Sequence, residues 1–216
     1  MKTEKQLNWN EIFVAYSEPS WNSLFRFSMS LCKDEAEAED LTQQTLLKAL
    51  QAVPSFFNHN YSAETPDEAR QAAEKQGHSE VQTHLLNWLL KICKNTFLDS
   101  RNSARRKLNH MTIEDWEEDP DETQAVSNAG HPSALNRGKT GDNSLQSEET
   151  TFFEQALDDE WKERFQQLNA RQRSIVYLAA EDYSYKEIAQ LLEIPMGTVM
   201  STLSRALGKL KKKAVD

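Results

Sequence analysis

Residues Tyr183 to Ala206 read YSYKEIAQLLEIPMGTVMSTLSRA, and this stretch decides the fold. Ser184 and Glu187 stand three apart ahead of an apolar run, the spacing of a capping box that opens a helix. Ile188, Leu192, Ile194 and Val199 fall where two crossing helices need apolar packing, and Ala189 is small where the crossing is close. A second helix is expected from about Met196. In a helix-turn-helix that element lies in the major groove with its first turns facing base edges. Lys209, Lys211, Lys212 and Lys213 follow within phosphate reach. An ordinary helical hairpin shares the apolar spacing, but the small Ala189, the Thr198–Val199 pair and the trailing lysines favour DNA binding.

Outward from this motif, helical spacing continues and no sustained two-residue alternation appears, which predicts an all-α chain. Phe152 to Leu168 and Arg171 to Ala180 read as helices. Ser20 is expected to cap a helix carrying Trp21, Leu24, Phe25, Phe27, Met29 and Leu31. Asp34 and Glu37 open another through Leu41, Leu46, Leu47 and Leu50, which Pro54 is expected to close. From Leu85 a stripe of Leu85, Leu86, Trp88, Leu89, Ile92, Cys93 and Phe97 predicts a further helix, ending in Arg101, Arg105, Arg106 and Lys107. Cations there also suit a helix C-terminus, the bland alternative to DNA contact. Trp88 reads as core rather than as a stacking platform.

Two stretches break the pattern. Residues 58–80 are polar and rich in Ala, Glu and Gln, with Thr65, Pro66, Asp67 and Glu68 as a helix start and Gly77 as a stop. They read as a short, weakly anchored helix or a mobile loop. Residues 108–150 hold Pro120, Pro132, Gly130, Gly138, Gly141 and an acidic cluster from Glu114 to Glu122, too little apolar surface to fold alone. They read as a flexible acidic linker. The expected organisation is therefore two small helical domains, 1–107 (with the insertion 58–80) and 151–216, joined by the linker 108–150.

Charge follows the same division. Of 216 residues, 85–107 carry six basic and one acidic side chain, 108–163 three basic and fifteen acidic, and 165–216 eight basic and five acidic. Two basic islands flank an acidic strait, and phosphate attraction is local enough for the islands to hold DNA despite a net charge of -9. Cys32 and Cys93 lack metal spacing and read as buried thiols of a reducing compartment. The five histidines are dispersed, so no metal and no cofactor is expected. No signal peptide and no membrane span is read, so the protein is expected in the cytoplasm.

The segments LNARQR from Leu168, YKEIA from Tyr185, IPMGTVMS from Ile194 and the pair Arg205, Ala206 resemble the promoter -35 reading domain of extracytoplasmic-function sigma factors. AEDLTQQTLLKAL, Ala38 to Leu50, is similar to that family's polymerase-binding helix, and WLLKICKNTFLDSR, Trp88 to Arg101, to its -10 reading helix. Three motifs in the family's order are far more specific than any one of them. The resemblance implies a sigma factor that binds core RNA polymerase and promoter DNA, and it leaves room for an anti-sigma partner. It places polymerase contacts at Asp40, Gln43, Gln44, Leu46 and Leu50. It places base reading in the -10 element at Asn95 and Asp99, with Arg101, Arg105 and Arg106 on phosphates. Upstream duplex contacts fall at Thr198, Ser201, Ser204, Arg205 and Lys209. The acidic linker, with Glu114, Asp115, Glu117 and Glu118, would imitate nucleic acid in the RNA path.

Three departures stand out. The family usually has basic residues where Met200, Thr202 and Leu207 stand, and a glycine where Glu193 stands. Residues 58–80 lengthen the loop that normally helps cage the flipped -10 base. The rival readings are a helix-turn-helix regulator acting without polymerase and a helical adaptor protein. The regulator leaves two of the three motifs to chance. The adaptor leaves the groove-reading pattern unexplained. No Gly-rich phosphate loop, metal-spaced ligand set or nucleophile motif supports an enzyme.

Overall fold

Side chains that satisfy free backbone amides fix where most of these helices begin. In this computed structural model residues 8–108 and 159–211 are described, with side chains described for 8–103 and 161–211. Every regular element among them is helical. Asn8 and Glu11 form a capping box for α1 (Trp9–Ser17), which passes through a 3-10 turn at Glu18–Ser20 into α2 (Trp21–Leu31). Asp34 accepts from the Glu37 amide to open α3 (Glu35–Tyr61). Thr65 and Glu68 form the box for α4 (Pro66–Gln76), and Gly77 ends it at φ 106°. The long α5 follows (His78–Leu108), and among the later described residues come α6 (Asp159–Gln167), α7 (Ala170–Ala180), α8 (Tyr185–Leu192) and α9 (Met196–Lys211). The described chain divides into two compact units between Ser100 and Arg101, within α5.

In the first unit α2 and α1 pack on α3, and α4 packs on both α1 and α3. The core is Leu24, Phe27, Leu31, Val53, Phe57, Leu85, Leu89 and Phe97. Helix α5 runs antiparallel to α3. The Lys48 ammonium donates to the Thr96 hydroxyl at 3.1 Å, the Phe56 and Trp88 rings lie 4.8 Å apart, and the Tyr61 hydroxyl meets His84 Nδ1 at 2.8 Å. In the second unit α7 is buried along nearly its whole length, and α8 and α9 pack against it, with α6 against α9. Arg164 donates to the Leu210 carbonyl at 2.9 Å, tying α6 to the end of α9.

Three expectations about element ends need correction. Ser20 makes no side-chain cap: it is already helical, because the preceding 3-10 turn runs directly into α2. Pro54 does not close α3, which continues to Tyr61. An interior proline removes a hydrogen bond and costs about 3 kcal/mol. Here the last turns are held by aromatic burial, with Phe57 fully buried against Trp9, Tyr16, Phe56 and Tyr61. Helix α5 begins at His78 rather than Leu85, with Val81 fully buried. The insertion is an anchored helix rather than a loop: Ala69 and Ala73 are both 0% exposed. The expected linker 108–150, apart from the backbone of Leu108, lies outside the described residues, as do 151–158.

Candidate nucleic-acid interface

The helix-turn-helix forms as the capping pattern requires. The Ser184 side chain accepts from the Glu187 amide, and Glu187 returns a carboxylate to the Ser184 amide at 2.8 Å. Ile188, Leu191 and Leu192 turn inward and meet Val199, Leu203 and Ala206 of α9 in the same core. The turn between them places Glu193 in the left-handed region, φ 58° and ψ 46°, where glycine would be unstrained. Tyr183, next to the cap, has its phenol pushed up to about 12, by burial first and then by the Glu187 and Glu181 carboxylates.

Helix α9 buries Val199, Thr202, Leu203, Ala206 and Leu210 and turns its other side to solvent. Along one flank of that side run Thr198, Ser201, Arg205 and Lys209, a spacing of three or four residues that keeps them on one stripe. Ser201 and Lys209 are exposed, while Thr198 and Arg205 are half-buried. The Arg205 Nε donates to the Ser201 carbonyl at 3.3 Å. Ser204 is also exposed, toward the opposite flank, so all five residues expected to face the upstream duplex share the open side of the helix. Of the three positions that depart from the family pattern, Met200 is 49% exposed, Leu207 half-buried and Thr202 turned into the core.

The -10 candidates lie on α5. Asn95 and Asp99 are one turn apart and exposed, while Val81, Leu85, Leu89, Cys93 and Phe97 face the core on the other side. Lys91 and Asn102 extend the same exposed stripe at four and three residues on either side. Arg101 is half-buried, and the side chains of Arg105 and Arg106 lie outside the described residues. The insertion does not cover these positions. Asn95 is seventeen residues from the start of α5 at His78, about 25 Å along the helix from α4 at 1.5 Å per residue.

On α3, Asp40, Gln43 and Gln44 are exposed, whereas Leu46 and Leu50 are half-buried against the unit's own core. The open apolar side chain of this face is Leu47, at 61% exposure, which the sequence reading placed on this helix without giving it a contact. It stands seven residues after Asp40 and four after Gln43, on their stripe.

Several cations of the two basic islands face inward. Lys94 is 2% exposed, Arg171 7% and Arg173 2%, and Arg173 donates to the Leu168 carbonyl at 2.5 Å. The LNARQR segment is therefore a buttress of the unit, not a phosphate site. Both cysteines are buried, and neither is in a disulfide. The Cys93 thiol is pushed up to about 11 by burial, against smaller opposing effects of the Ser28 and Thr45 hydroxyls. Among the described residues no group of three or more His, Cys, Asp or Glu could hold a metal ion, and no helix is long and apolar enough to cross a membrane.

Two family models match the chain in this order: sigma-70 region 2 over residues 22–65 and sigma-70 region 4 over residues 159–210. The chain is 25% identical over 202 residues to the ECF RNA polymerase sigma factor SigM of Bacillus subtilis, covering 94% of this chain and 92% of that protein. It is 28% identical over 189 residues to the ECF RNA polymerase sigma factor EcfG of Rhodopseudomonas palustris, covering 87% and 77%. In fold it is similar to the sigma factor RpoE of Bartonella quintana, solved in complex with the anti-sigma factor NepR, with a TM-score of 0.51, 22% identity and coverage of 90% and 91%. Helix α3 falls within the first match and α6 to α8 within the second, while α2 and α9 each overrun their match by one residue, so the elements that carry the candidate contacts on α3 and α9 are covered by the family models. The two sigma-70 regions in this order and the likeness to sigma factors along most of the chain support an extracytoplasmic-function sigma factor of the sigma-70 family.

Proposed function

We propose that the exposed faces of α3, α5 and α9 divide among them the three tasks of promoter-specific initiation by RNA polymerase. The α3 face, Asp40, Gln43, Gln44 and Leu47, docks on the polymerase, with Leu46 and Leu50 supporting it from below. Its polar rim around an apolar anchor suits a protein interface. Asn95 and Asp99 on α5 hold unstacked bases of the -10 element, offsetting part of the few kcal/mol that each extruded base costs. Arg101, Arg105 and Arg106 continue that path along phosphates. Thr198, Ser201, Ser204, Arg205 and Lys209 on α9 meet the upstream duplex.

One observation carries this reading: Asp40, Gln43 and Gln44 on α3, Asn95 and Asp99 on α5, and Ser201, Ser204 and Lys209 on α9 are all exposed, on the sides of their helices turned away from the core. Two modules follow, 1–107 and 151–216, joined by 108–150. Catalysis belongs to the polymerase, and the chain works in the cytoplasm with no cofactor. The complex recorded for the Bartonella protein supports an anti-sigma partner here as well. A regulator acting without polymerase would have no use for the α3 face. In vitro transcription with purified core enzyme and a random promoter library tests the reading. Defined start sites that depend on the chain are expected, and their absence overturns it.

A further inference from the structure

The open side of α9 has two chemically different flanks. Thr198, Ser201, Arg205 and Lys209 form the polar one. On the other, Met196 is 51% and Met200 49% exposed, one helical turn apart at the start of the helix. Further along, Met200, Leu207, Gly208 and Tyr185 line a shallow cavity of about 320 Å³. Gly197 lies between the two flanks, and a Cβ built on it would meet nothing within 4 Å. The backbone there can approach a neighbouring surface closely.

We infer that Met200, with Met196 one turn before it, reads thymine 5-methyl groups in the major groove of the upstream element. The inference rests on the reading of α9 as the groove helix and says how part of its specificity arises. Residues in the first turns of such a helix face base edges. Thymine alone presents a methyl group there, and apolar side chains recognise it by contact. Ser201 and Arg205, on the adjoining flank, cover hydrogen-bonding edges, so the two flanks read two kinds of base feature in one approach. Methionine suits the apolar task because its unbranched thioether adapts to small offsets in base position.

The test uses the full chain assembled with core polymerase. A duplex is first selected by this holoenzyme from a library randomised in the upstream element. Each thymine of that element is then replaced singly by deoxyuridine, which deletes the methyl and leaves every hydrogen-bonding group in place. The native protein is expected to lose affinity about three- to fivefold at one or two positions, the effect of leaving one methyl uncovered. In Met200→Ala the thymine and deoxyuridine duplexes are expected to bind alike at one of them, while Met200→Leu retains the difference. Native protein indifferent to every deoxyuridine overturns the inference and leaves the groove reading standing. So does a Met200→Ala variant that weakens both duplexes equally, a result that would assign the flank to a protein partner. A holoenzyme that selects no upstream sequence overturns the groove reading and the inference together.

Discussion

Truncating Leu47 to Ala separates docking from folding. Fully burying a leucine side chain is worth about 1.5–3 kcal/mol. In the free chain Leu47 is 61% exposed, so about three-fifths of that gain is still available to a partner. Covering it on the polymerase is then worth about 0.9–1.8 kcal/mol, a factor of roughly 5 to 20 in affinity. The change costs the free protein little, because exposed substitutions stay within about 0.5 kcal/mol and alanine is the best helix former. Leu46→Ala and Leu50→Ala cannot make this separation, since both side chains are half-buried and their loss also loosens the unit. The assay is equilibrium binding of fluorescently labelled chain to core enzyme, with thermal unfolding of each variant alongside. Leu47→Ala binding within twofold of the native chain, at unchanged stability, would refute the placement of the polymerase on this face.

Three further outcomes are expected. Glu193→Gly relieves a left-handed residue worth about 1–2 kcal/mol, less about 0.4–1 kcal/mol for glycine's greater freedom when unfolded, so the second unit melts a few degrees higher; a lower midpoint in circular dichroism contradicts this. Gly77→Ala meets no neighbour within 4 Å, so its cost is backbone strain alone at φ 106°, and the first unit loses about 1–3 kcal/mol in urea unfolding; an unchanged midpoint would show that the α4–α5 junction adapts. Burial raises the Cys93 thiol from 9.0 to about 11, so its contribution to stability is complete below pH 9 and is lost as pH rises toward 11; in Cys93→Ser that alkaline loss should shrink, and an identical pH profile argues against it.

What the sequence made legible was local. The boxes at Ser184–Glu187 and Thr65–Glu68, the cap at Asp34 and the stop at Gly77 depend on side chains within four residues, and all four form. Pro54 misled because its cost is local while the compensation is not: the rings around Phe57 come from α1 and α3 together. The anchoring of α4 was hidden because its buried side chains are alanines, which barely register as hydrophobic yet pack completely. At the candidate site, the resemblance picked out Asn95, Asp99, Ser201 and Arg205, and all four lie on the open sides of their helices. Spacing could not distinguish Leu47 from Leu46, since adjacent leucines on a helix differ by only 100° of rotation.

The inward-facing cations change what the ionic atmosphere can contribute. Counting residues suggests eight positive charges in the last fifty or so, yet Arg171 and Arg173 are sealed within the unit and release no counterions on binding. Each phosphate neutralised steepens the fall of log affinity with log salt by about 0.9 for duplex DNA. The upstream-reading unit should therefore show a slope about two charges shallower than its composition implies. It would hold its site through a rise in salinity that dislodges a protein wearing all its arginines outside.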